Sequence, residues 1–203
     1  MDAENAALPA TAARTERFPR VGRDDPDPQV TALREAILGG PRRDVPGQFG
    51  IEAADGTLEG PFGLYLFAPA LGGPWQQLGA ALRTATTLSA RERELGTLAA
   101  AASARSAFEL HAHLPLAAAA GVDDATAARV LGGFTLDDPR EDALVRFCRA
   151  AVRDVQPERE FDDLVAHFER RAVFEIVSLV GYYRALAAML ALFAIEPPAG
   201  PSR

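Results

Sequence analysis

From Pro61 onward, apolar residues recur at three- and four-residue spacing, and no window alternates apolar and polar residues between turn signals. A chain with that pattern has no strand faces to bury and must assemble its core from helix faces, so the expected class is all-α. The helices are punctuated clearly. Pro61 opens a short apolar segment, FGLYLFAP, that ends near Pro69, and residues 71–87 follow with Leu71, Trp75, Leu78, Leu82 and Ala85 on one stripe.

Two capping-box patterns set the next starts. In SARE, Ser89 stands at the N-cap and Glu92 three residues later, which predicts a helix of about fourteen residues. In SAFE, Ser106 and Glu109 repeat the arrangement, and the helix that follows is expected to stop at Gly121, where glycine tolerates a left-handed conformation. A shorter helix should run from Asp123 or Asp124 to Gly132. Asp137–Val155, Pro157–Arg170 and Arg171–Ile195 complete the set. Upstream, residues 1–28 are polar and read as an N-terminal arm, Gln29–Leu38 as a short helix stopped by Gly39 and Gly40, and residues 41–60 as loop. The expected organisation is one helical domain over residues 29–203 behind that arm.

Composition removes several function classes. The 203 residues carry a net charge of −7 with acids and arginines interspersed, so no basic stripe exists to neutralise phosphates and nucleic acid is not an expected partner. One cysteine, Cys148, excludes an intrachain disulfide, a CxxC redox pair and a cysteine-based zinc site. Its spacing with Leu144, Ala151 and Val152 marks it as apolar filler. The N-terminus has no charged segment followed by a long apolar run, and the apolar stretch 172–195 contains Glu175 and Arg184. It reads as a core helix, with no membrane partner and a cytoplasmic location expected.

Chemistry concentrates in SARSAFELHAH, residues 103–113. Glu109 and His113 lie four apart and share a helix face, whereas His111 points about 200° away from His113 and serves a different surface. Glu94, on the preceding helix, reaches the same face if a short connection folds the two helices together. Two carboxylates and an imidazole are parts for proton transfer. The same three groups could hold iron or zinc, yet no metal motif is present and no metal or cofactor is expected. The bland alternatives are a capping acid at Glu109, a surface acid at Glu94 and a carbonyl-bonded His113. Ser106 reads as an N-cap before a nucleophile, His167 as a surface residue, and Glu175 as an ion-pair partner of Arg171. Tyr182, Tyr183 and Trp75 are core aromatics that could line a cavity.

The run RERELGTLAAAASARSAFELHAHLPLAAAAGV resembles the signature region of the carboxymuconolactone decarboxylase superfamily, with its alkylhydroperoxidase-like helical bundle. GPFGLYLFAPALGGPWQQLG and FEIVSLVGYYRALAAML are similar to the flanking helices of its longer members, so the likeness spans residues 30–195. In the peroxidase branch, the resemblance aligns the first-helix Glu with Glu94 and the His with His113. It aligns the two cysteines with Ser106 and Glu109, so both thiols that peroxide chemistry requires are missing. The decarboxylase branch works without cysteines. It implies His113 as proton donor, Glu94 or Glu109 as its orienter, and Arg105, with the Ser106 helix start, as a carboxylate-binding element. Compact decarboxylases of the family are shorter than this chain, which leaves the substrate open.

The expected activity is therefore lyase-like acid/base catalysis on a small carboxylated or lactone-type ring. The alternative is a non-catalytic helical ligand-binding or assembly protein. The resemblance also implies a homo-oligomer, a dimer, trimer or hexamer. A catalytic reading requires that Glu94, Glu109 and His113 meet around a hollow large enough for a small organic acid.

Overall fold

A computed structural model describes residue 17 and residues 20–40 and 50–198. Most of the expected N-terminal arm and the first part of the 41–60 loop lie outside the described residues. Among the described residues the structure is built from nine helices with no strand: α1 Pro28–Leu38, α2 Pro61–Phe67, α3 Pro69–Thr84, α4 Ala90–Ala104, α5 Ala107–Ala119, α6 Asp124–Gly132, α7 Pro139–Arg153, α8 Glu158–His167 and α9 Arg170–Leu192. An isolated antiparallel bridge, Glu52 to Leu58, closes the turn before α2.

The helix starts follow from the caps. Ser89 and Glu92 form the reciprocal box, with Ser89 N–H donating to Glu92 Oε2 at 2.8 Å and Glu92 N–H to Ser89 Oγ at 3.1 Å. Ser106 caps α5, Asp123 caps α6 and Asp138 caps α7. Pro115 remains inside α5, which continues to Ala119.

Helix α4 is the hub. It packs against α5, α6, α7 and α9, and its Leu95, Leu98 and Ala99 are fully buried. Gly96 brings α7 and α9 close: a methyl group there would meet Cys148 Sγ at 3.3 Å and Leu179 at 3.6 Å. Cys148 is buried, and burial pushes its thiol far above the usual range, as expected for apolar filler. Helix α9 is long and apolar enough to cross a membrane, and 50% of its most apolar window is packed inside the protein. Its Glu175 accepts hydrogen bonds from Thr87 and from Arg171, the ion pair that the sequence spacing predicts.

The stripe expected on α3 is displaced. Leu71 and Leu78 are exposed, and the buried face is Gly72, Gln76, Gly79 and Leu82. Close approach to α2 explains the difference, because a Cβ at Gly72 would fall 2.1 Å from the carbonyl oxygen of Tyr65. Backbone contact, which an apolar-residue pattern does not encode, turns the glycine face inward.

Gly60 has the same function at the entry to α2. Its φ of 61° combined with a ψ of −138° suits glycine alone, and a Cβ there would sit 2.1 Å from the ring of Phe108. Gly60→Ala is expected to lower stability by about 1–3 kcal/mol, read as a lower urea midpoint. An unchanged midpoint would mean that Phe108 can retreat freely.

Candidate active site

Three short-range choices bring the polar residues together. Helix α4 presents Glu94 one turn after its capped start. Arg105 then takes a left-handed conformation (φ 56°) as the C-cap of α4, and Ser106, with its hydroxyl accepting from the Glu109 N–H, starts α5 one residue later. That tight turn folds α5 against α4, and the i, i+4 spacing of Glu109 and His113 points both side chains at Glu94.

The result is a buried ionic cluster. His113 Nδ1 lies 2.7 Å from Glu94 Oε2, and His113 Nε2 lies 3.4 Å from Glu109 Oε2. The Tyr183 hydroxyl, from α9, lies 3.1 Å from the same Nε2, with its ring edge-on to the imidazole at 5.2 Å. Relative exposures are 7% for Glu94, 3% for Glu109 and 5% for His113. Burial disfavours the imidazolium, but the charges and hydrogen bonds of Glu94 and Glu109 outweigh it, and the pKa of His113 is pushed up to about 9. Burial likewise opposes ionisation of Glu94, and the His113 charge overcomes it, so this carboxyl titrates below the usual range. Burial and the two carboxylates keep Tyr183 protonated well above the usual phenol range. At neutral pH the group is therefore an imidazolium clasped by carboxylates, with a phenol beside it.

Glu94, Glu109 and His113 meet as the sequence reading requires. Ser106 is buried as the α5 cap. Arg105 is exposed, and it is not among the residues lining the space beside His113. The cation that does line it is Arg83, in the last turn of α3, together with Phe62, Phe108, Tyr182, Tyr183 and Leu186. Sequence carried no signal for Arg83, whereas Tyr182 and Tyr183 were visible as aromatics of an apolar helix. Among the described residues, no group of three or more His, Cys, Asp or Glu is disposed to hold a metal ion.

The expected hollow is much smaller than a small organic acid. It measures about 20 Å³, room for one water, because aromatic side chains of α2, α5 and α9 occupy the space that spacing alone left unassigned. A groove of about 420 Å³ between α7, α8 and α9 shares no lining residue with it.

Pairing raises His113 above the 6.5 of an unperturbed imidazole, so its stabilisation is complete below about pH 6.5 and lost as pH rises through about 9. Glu94 is depressed, so its contribution is present above its unfolded value of 4.5 and lost as pH falls. Urea unfolding is expected to lose on the order of 3 kcal/mol between pH 6.5 and the alkaline side of 9. His113→Gln should abolish this alkaline limb. An identical limb in the variant would assign it to another group.

Residues 69–150, from α3 into α7 and including Glu94, Glu109 and His113, match the model of the Carboxymuconolactone decarboxylase family. Comparison with curated proteins finds no match. Among solved structures, an uncharacterized peroxidase-related protein from Ralstonia eutropha, described as an alkylhydroperoxidase AhpD core, superimposes with a TM-score of 0.67 at 19% identity, covering 93% of this chain and 95% of that one. A variant of the debrominase Bmp8, in complex with a tribromopyrrole, gives a TM-score of 0.67 at 14% identity, covering 89% and 90%. A protein of unknown function from Agrobacterium tumefaciens, a candidate antioxidant defence protein AhpD, gives 0.61 at 18%, covering 68% and 97%. At these identities the likenesses show a shared all-α fold.

Proposed function

Because the chain belongs to the carboxymuconolactone decarboxylase/AhpD-like superfamily, we propose that it is an acid/base enzyme, lyase-like, that transfers a proton on a small carboxylated or lactone-type ring. The observation that carries this reading is the buried imidazolium of His113 held between Glu94 and Glu109. Loss of carbon dioxide from such a ring breaks a carbon–carbon bond and leaves an electron pair that must be protonated. A proton source charged at neutral pH, fixed by Glu94 and shielded from bulk water, suits that step. The debrominase neighbour binds a tribromopyrrole, which supports a small ring as the size of ligand.

Thiol peroxidase chemistry has no support in the chain. Ser106 and Glu109 stand at the cysteine positions, and the one thiol, Cys148, is buried and poorly ionised. The water-sized space at His113 favours a second reading, a helical protein that kept the fold without turnover. The two are separated by assaying carbon dioxide release from a panel of carboxylated γ-lactones. The enzyme reading expects turnover that falls as pH rises through about 9, and a loss of a hundredfold or more, as an order of magnitude, in His113→Gln. Undiminished turnover in that variant rejects the assignment.

Assembly into a homo-oligomer belongs to the same proposal. Phe174 and Val177 on α9 are 73% and 44% exposed, an apolar surface of the kind that partners cover. Light scattering should return a multiple of the 21.6 kDa chain mass, and a monomer at working concentration would remove this part.

A further inference from the structure

We propose that Glu109, through Oε1, is the atom that accepts a proton from the substrate, and that the substrate is a small carboxylate with a C–H acidified by an adjacent carbonyl. The inference rests on the acid/base reading above and adds to it a proton acceptor and a substrate class.

The geometry separates the three polar groups by what they have left to offer. His113 has no uncommitted nitrogen: Nδ1 faces Glu94 at 2.7 Å, and Nε2 faces the Tyr183 hydroxyl at 3.1 Å and Glu109 Oε2 at 3.4 Å. Glu94 is spent on His113, behind the cavity, and does not line it. Glu109 lines the cavity, and its Oε1 is buried with no hydrogen-bond partner among the described residues. A buried carboxylate oxygen without a donor costs free energy that a folded chain does not usually tolerate. An atom left in that state beside a water-sized space is an acceptor awaiting a ligand's proton.

The surrounding charges define what brings that proton. Arg83, from α3, is the cation on the cavity wall and suits a carboxylate. Tyr183, from α9, takes the imidazolium N–H on its oxygen, which leaves its own O–H to donate. In the step proposed, a C–H bond breaks, the proton passes to Glu109 Oε1, and the electron pair moves to the adjacent carbonyl oxygen as an enolate held by the Tyr183 O–H. Return of the proton to carbon closes the cycle, with no oxidant or reductant consumed. The ring of such a molecule exceeds the space at hand, so entry displaces the side chains of Phe62, Phe108 or Leu186 that border it.

The test is proton exchange, which needs no carbon–carbon cleavage. The full-length protein is incubated in D2O with 2-oxotetrahydrofuran-3-carboxylate, and loss of the C3–H signal is followed by proton NMR. The wild type should accelerate exchange over buffer. Glu109→Gln should lower that acceleration on the order of a hundredfold while circular dichroism shows the variant folded at the assay temperature. Should that variant unfold, Glu109→Asp decides, with a drop in kcat of at least tenfold expected. Arg83→Gln should raise KM for the acid by a larger factor than for its methyl ester.

A wild type that does not accelerate exchange overturns the proposal, as does a Glu109 variant that exchanges as fast as wild type. Exchange without carbon dioxide release from any lactone removes the decarboxylase reading and keeps this one. Carbon dioxide release that persists in Glu109→Gln removes this one and keeps the other.

Discussion

Two carboxylates and an imidazole buried within one bundle are the constraint to which the rest of this structure answers. Each ion would cost several kcal/mol to bury alone, and a buried pair returns that cost only when its geometry is good. The geometry here comes from backbone devices. The Ser89 box fixes where α4 starts and therefore which turn carries Glu94, the left-handed Arg105 fixes the reversal, and Ser106 fixes the phase of α5. A shift of one residue in any of these would rotate Glu94 or His113 by about 100° and leave an unpaired charge inside. Caps that would contribute only about 1 kcal/mol in an isolated helix here decide whether the cluster forms.

Most of the scaffold was legible because helix boundaries are written locally. Most of the nine segments expected from Gln29 onward are punctuated by Pro, Gly or a capping side chain, and the structure moves their ends by no more than three residues. The meeting of Glu94 with His113 was legible for the same reason, since it depends on one i, i+4 spacing and one tight turn. What failed to show in the sequence depends on contacts between elements far apart along the chain. Arg83 reaches the cluster from α3, and Tyr183 reaches it from α9, seventy residues from His113. Cavity volume is less visible still, because it is set by how Phe62, Phe108 and Leu186 from three helices fill one space. The inward glycine face of α3 has the same origin, a backbone approach that hydrophobic periodicity cannot anticipate.

The cluster also explains why this scaffold can carry different chemistry without changing shape. The α4–α5 unit fixes four polar positions, Glu94, Ser106, Glu109 and His113, of which Glu109 and His113 border the small space. Thiols at the second and third of these would give a redox pair. With a hydroxyl committed to capping and a carboxylate in their place, electron transfer through sulfur is no longer available, while proton transfer gains a second acid. The imidazole then changes its role. Beside a thiol it would serve as a base, but clasped between two carboxylates it holds its proton to about pH 9. Glu109 keeps one buried oxygen, Oε1, without a hydrogen-bond partner among the described residues, while its Oε2 lies 3.4 Å from the imidazole. Burial, pairing and one withheld hydrogen bond together set Glu109 apart from the other polar groups of the cluster.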